Sequence, residues 1–217
     1  IERERASIDK LDLSGSLSRE LLGELQTSRD RKVAFASDVP FTLALAQPTT
    51  FAYAELKAGT LPAGLAAHLT LAEVAVAEAP GLAAPIALRN VDATLEVDPS
   101  ATSAKAKGSF NANGANAATD RIEGATFDLA WAKPTGPSLL QGLSGTARLA
   151  GINVPWVESL LGKSKGAISN WTGDVGSMTL TMNRGAAGET VRIAPEFPRV
   201  TSGALDIVAN GERVSAT

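Results

Sequence analysis

The chain has 217 residues, with 20 Lys and Arg, 23 Asp and Glu, one His and no Cys. That length suits one domain with a sizeable core built without disulfides. The absence of Cys excludes thiol nucleophiles and thiolate metal sites, the lone His excludes a multi-His centre, and a net charge of −3 argues against a nucleic-acid binder.

Period-2 alternation in short pieces is the dominant signal and predicts half-buried strands. In chain order these are Leu11-Leu13-Leu17, Val33-Phe35, Phe41-Leu43-Leu45 and then Phe51-Tyr53 after a Pro48-Thr49-Thr50 turn. Between the first two, Ser18 to Leu25 is a weak helix candidate. Residues 63–79 fit either a helix face (Leu65, Leu69, Ala72, Val76) or strands (Leu69-Leu71, Val74-Val76), and strands are preferred in this context. Ile86-Leu88, Val91-Ala93-Leu95-Val97 and Ala104-Ala106-Gly108-Phe110 follow, the last leading to a hairpin-type turn at Asn113-Gly114. Ala125-Phe127-Leu129-Trp131 ends in the loop Lys133-Pro134-Thr135-Gly136-Pro137.

After Ala147-Leu149 the pattern changes. Asn153 as cap, Pro155 in the first turn, apolar Trp156, Val157, Leu160 and Leu161, and a closing Gly162 predict one short helix. Met178-Leu180-Met182, Val191-Ile193 and Leu205-Ile207-Ala209 return to strand alternation, with turns at Asn183-Arg184-Gly185 and Asn210-Gly211. A glycine followed by alternating residues recurs at Gly15, Gly59, Gly108, Gly124, Gly145 and Gly203, and reads as a strand-start signature that permits bulges.

The expected fold is all-β: an elongated or curved, mostly antiparallel sheet with one short helix, with a closed β-sandwich as the alternative. Residues 1–217 read as a single β-rich domain. Because the chain begins Ile1-Glu2-Arg3 without an initiator Met, it is expected to be part of a longer protein. Alanine and glycine supply 58 residues, and many alanines fall at inward positions beside Leu, Val and Phe. Small inner side chains make a thin core or a roomy trough.

Little in the sequence carries chemistry. His68 stands opposite Leu69 and Leu71 on its strand, and no serine sits in a Gly-x-Ser-x-Gly elbow. The acids Asp92, Glu96 and Asp98 share one strand face, while Asp128 and Asp206 sit among apolar neighbours, as the wet side of a sheet requires. Gly162-Lys163-Ser164 follows a helix where a phosphate loop would precede one, so it reads as a C-cap. Asn170-Trp171-Thr172 matches a short glycosylation sequon, and Lys105 with Lys107 makes too small a patch for nucleic acid. The expectation is a chain without catalysis, cofactor or metal.

Three stretches carry a family resemblance: Leu88-Arg89-Asn90-Val91-Asp92-Ala93-Thr94-Leu95-Glu96-Val97, Ile122-Glu123-Gly124-Ala125-Thr126-Phe127-Asp128-Leu129 and Leu143-Ser144-Gly145-Thr146-Ala147-Arg148-Leu149. They resemble the AsmA-like and TamB-like envelope proteins of Gram-negative bacteria, with some similarity to the type II secretion N protein. The resemblance covers the strand-rich part, residues 80–210. It implies a β-groove in the periplasm or cell envelope, associated with phospholipid movement or outer-membrane assembly. It makes Leu95, Val97, Phe127, Leu129, Leu149, Leu205 and Ile207 groove-lining, and Asp92, Glu96, Asp128, Arg148 and Asp206 the solvent face. The partners it implies are a phospholipid or other acyl-chain ligand and envelope proteins met through sheet edges, with any membrane anchor outside these residues. Beside it stands a β-sandwich interaction module of a secretion or surface complex, which would be extracellular. A glycan-acting enzyme is the third reading.

Overall fold

Strict alternation of large apolar and polar residues forces a chain to pair one face and wet the other, and antiparallel hairpins do this with short connections. The computed structural model describes residues 5–24, 33–52, 62–100, 102–132, 143–185, 188–199, 205–210 and 213–216. The strands are β1 (Arg5–Ile8), β2 (Asp12–Leu17), β3 (Ala34–Phe35), β4 (Val39–Leu45), β5 (Thr49–Ala52), β6 (Ala66–Glu78) and β7 (Ile86–Val97). They continue with β8 (Ser103–Asn113), β9 (Arg121–Ala132), β10 (Leu143–Asn153), β11 (Val175–Gly185), β12 (Gly188–Glu196), β13 (Leu205–Asn210) and β14 (Arg213–Ala216). Three short helices accompany them: α1 (Arg19–Glu24), α2 (Val154–Leu160) and α3 (Ser169–Thr172). Tyr53, the 133–137 loop, Gly59, Gly203, Gly211 and Leu25 lie outside the described residues.

One 12-stranded antiparallel sheet runs in the order β14-β13-β12-β11-β10-β9-β8-β7-β6-β4-β2, with β3 also on β6, while β1 and β5 make a separate ribbon. No second sheet closes over it among the described residues, so the sandwich alternative is excluded. The accessible surface of 13857 Å² agrees, since a compact protein of this mass exposes about 9,400 Å².

Residues 63–79 resolve as strand, not helix, because β6 is flanked by β4 and β7 and its leucines pair on both sides. Ile86-Leu88 and Val91–Val97, two strands by sequence, are one strand. Parity switches between Leu88 and Val91, where the register shifts against β8 and Asn90 takes φ 52°. The same switch occurs in β9, where register shifts between Phe110 and Ala112 of its partner, and in β10 between Leu149 and Ile152, where Gly151 has φ 61°. A row of bulges thus crosses the sheet, and each strand keeps its apolar residues on one face through it.

Several local expectations are corrected. The recurrent glycines Gly15, Gly108, Gly124 and Gly145 stand inside strands, not at their starts. Asn113-Gly114 opens a longer connection over residues 114–120, closed by Gly114 N–H donating to Asp120 O at 2.7 Å. Asn113 still pairs with Arg121 in the ladder, so no tight turn forms there. The strand β11 continues through Asn183-Arg184-Gly185, whose residues pair with Thr190, Glu189 and Gly188. Thr49 and Thr50 belong to β5 instead of a turn. Two further helices join the one expected with most support, α1 where the weak candidate lay and α3 unanticipated.

Gly108 shows why a small residue is required mid-strand. A Cβ there would lie 2.4 Å from the Asp92 carbonyl oxygen and 2.5 Å from the Phe127 ring. Gly108→Ala should therefore lower unfolding stability by about 1–3 kcal/mol. Phe127→Leu in the same chain should recover only part of this, because the Asp92 carbonyl stays in place. Chemical denaturation of the three proteins measures it.

Candidate functional site

Antiparallel partners share a face, so the register converts sequence into transverse rows. One row reads Leu45, Ala67, Leu95, Ala106, Leu129, Gly145, Met182 and Val191, from β4 to β12. Its neighbour reads Leu43, Leu69, Ala93, Gly108, Phe127, Ala147, Leu180 and Ile193. Large and small side chains alternate between strands through the middle of both rows. Neither row contains a charged residue, and both methionines of the chain stand on this face, Met178 beside Leu149 and Met182 beside Gly145.

The structure therefore brings Leu95, Phe127, Leu129 and Leu149 onto one half-buried apolar face. Ile207 pairs with Val191 and Leu205 with Ile193, which puts their backbone in the same two rows. Val97 lies deeper: it is buried with Leu65 and Ala104, against Leu45, Ala67, Leu95 and Trp131, at one end of the face. A depression of about 390 Å³ lies there, lined by Leu65, Val97 and Ala104 together with Glu96, Asp98 and Lys105. Sequence reasoning did not single out Leu69, Leu180 and the two methionines as lining residues. Their strand alternation was legible, and only the register joins them to Leu129.

The opposite end is covered by α2. Asn153 caps it, its Oδ1 accepting the Trp156 N–H at 2.8 Å, and Pro155 fits the first turn, which has no use for its N–H. Trp156 and Leu160 are buried against Ala112, with Ile86, Leu88 and Ile122 packed around them. Leu161, the C-cap residue, is exposed. From β10 to β6 a flat sheet spans roughly 19 Å, whereas this helix rises only about 10 Å. Yet Leu160 O accepts the N–H of Ala83 in the β6–β7 connection at 2.7 Å. The β6–β7 connection, residues 79–85, bridges the remaining distance and meets the helix over this end of the apolar face.

Glu158 holds this end together, and no sequence motif announced it. Its side chain is fully enclosed. Its carboxylate accepts N–H donors from Gly166 at 2.8 Å, Ser169 at 2.6 Å and Ile168, with the Ser169 hydroxyl at 3.4 Å. Desolvation pushes its pKa up, but the donors of Ser169, Ile168 and Gly166 together outweigh it, and the group is held below the ordinary carboxylate range.

On the other face, polar side chains pair across strands and stand open to water. His68 Nε2 lies 3.0 Å from Asp92, Lys107 3.0 Å from Asp128 and Arg148 3.4 Å from Glu196. Exposed pairs of this kind contribute about 0–1 kcal/mol each. Glu96 also lies on this exposed side. Asp98, expected on the same strand face, instead lies past the end of β7. There the hydroxyls of Ser100 and Ser103, the two largest influences, and the backbone of Thr102 and Ser100 hold its carboxyl well below the usual range. Among the described residues no three acidic or His side chains form a cluster able to hold a metal ion. No helix among them is long and apolar enough to cross a membrane. No family model, curated protein or solved structure matches the chain.

A carboxylate whose folded pKa is lowered contributes stability above its unfolded value and loses it as pH falls through the folded one. The urea midpoint of the protein should therefore drop between neutral pH and about pH 3. The drop should be shallower in Glu158→Gln, which starts from a lower midpoint because an amide presents one acceptor oxygen and adds unwanted donors. Asp98 has the same sign but is common to both proteins, so the difference isolates Glu158. Parallel curves would show that the enclosed carboxylate has no role.

Proposed function

We propose that the trough holds acyl chains and that this chain is a non-catalytic segment of a cell-envelope protein engaged in lipid transport or outer-membrane assembly. The observation that carries the reading is the charge-free apolar surface running across β4 to β12 without a covering layer among the described residues. Such a surface offers no hydrogen bond to orient a polar substrate. It gains about 0.8 kcal/mol for each CH₂ taken from water. Leu95, Leu129 and Phe127 stand opposite Ala106, Gly145 and Gly108, which keeps the face apolar throughout, and Met178 and Met182 adapt to chains of varied shape. The periplasm or cell envelope as its place is supported by the resemblance of residues 80–210 to AsmA-like and TamB-like proteins.

A second reading, an assembly module that adds strands at its edges, is favoured by β2. Among the described residues this strand pairs only with β4, and nearly all of its residues are exposed, Leu13 on the apolar face among them at 46%.

Native mass spectrometry of the purified chain, with organic extraction, tests the first reading. A phospholipid or fatty-acid adduct is expected, and Leu129→Asp or Leu180→Asp should reduce its occupancy several-fold while far-UV circular dichroism is retained. Protein that stays free of lipid at several expression levels and takes up no added fatty acid would exclude it.

A further inference from the structure

Three of the five most exposed large apolar residues fall in one short stretch: Leu161 at 44%, Trp171 at 77% and Val175 at 52%. Leu161 and Trp171 belong to the insertion between β10 and β11 that covers one end of the apolar face, and Val175 is the first residue of β11. Its inner side is fixed by Trp156 and Leu160 on the sheet and by Glu158 gathering the backbone of Gly166, Ile168 and Ser169. The outer side is thus presented on a rigid mount.

Its charges are one-sided. Lys163 and Lys165 stand exposed between Leu161 and Trp171, and the Arg199 guanidinium reaches in to donate to Asn170 O. Asp174 is the one exposed acid from Val154 to Val175, because Glu158 is enclosed with its charge turned to backbone donors. The chain as a whole is acidic, so this local excess of cations runs against its composition. A protein-binding patch loses lysines from its centre. An indole and a leucine set among lysines suit a lipid–water boundary, where the ring sits at head-group depth and the cations meet phosphate.

We propose that the α2-covered end of the trough seats on the surface of an anionic lipid bilayer, with Trp171 and Leu161 entering the head-group layer and Lys163 and Lys165 against lipid phosphates. The contact does not depend on what the trough itself holds.

Sedimentation with vesicles of phosphatidylglycerol and phosphatidylcholine, compared with phosphatidylcholine alone, tests it. The chain should bind the anionic vesicles, less so at high salt. Trp171→Ala and the double variant Lys163→Glu, Lys165→Glu should each weaken binding at least about tenfold, with the thermal midpoint unchanged because these side chains are exposed. Brominated lipid should quench Trp171 fluorescence. Quenching that persists in Trp171→Phe comes from Trp131 or Trp156 and reports acyl chains in the trough, so the two proposals fail separately. Absence of vesicle binding, including a patch that instead captures a protein, overturns the docking surface. So does equal binding by the variants.

Discussion

The contact between a large side chain on one strand and a small one directly opposite, Phe127 against Gly108 and Leu129 against Gly145, sets the rest of the structure. An open sheet has no second layer into which its inner side chains can interdigitate. They must lie down on their own sheet, across the neighbouring strand, and that strand then has no room for a side chain. Gly145 is fixed differently, by backbone: its φ of 135° and a Cβ position 2.1 Å from the Asp128 carbonyl oxygen leave glycine as the residue that fits. The Ala and Gly content is the compositional trace of this packing.

Stability in such a molecule resides at the edges of the trough and in the ladder, more than in a central core. The buried apolar residues separate into two clusters, one around Leu65, Val97 and Ala104 and one around Ala112, Trp156 and Leu160. Between them most of the face is half-buried, with Ala125 fully buried. The clusters brace the two ends of long strands, and the bulges in β7, β9 and β10 let those strands bend without turning their leucines outward. The α2 helix ties β10 to the β6–β7 connection, and Glu158 in turn fixes the chain that leads from α2 to β11.

The sequence made most strands legible because alternation survives on each side of the bulges, whereas β1 and β14 were not read from it, and it made the short helix legible because Asn153, Pro155 and Gly162 mark both its ends. It also ordered the two faces correctly at Asp92, Asp128 and Arg148. What it hid was relational. Whether Ile86-Leu88 and Val91–Val97 are one strand or two depends on a bulge at Asn90, a residue whose positive φ no periodicity reveals. Asn113-Gly114 has the chemistry of a tight hairpin, but β8 and β9 pair right up to Asn113 and Arg121, so the chain must loop over residues 114–120 instead. Glu158 looked like an ordinary polar position in a short helix. Its role depends on the backbone of residues eight to eleven positions later, which local pattern does not encode.

The openness of the sheet has a physical consequence of its own. Soluble proteins rarely leave contiguous apolar patches larger than a few hundred Å² uncovered, and a sheet edge left free invites further pairing. Packing within the sheet answers part of the first problem, since most side chains on the face are half-covered by their neighbours on adjacent strands. It answers the second not at all, because an open sheet keeps its edges. The rest of the face stays uncovered among the described residues, and its ridges lean on the small residues opposite them, as the Phe127 ring does over Gly108. The leucines that stand on this face and the Ala and Gly opposite them thus have one cause: a sheet packed against itself instead of against a second layer.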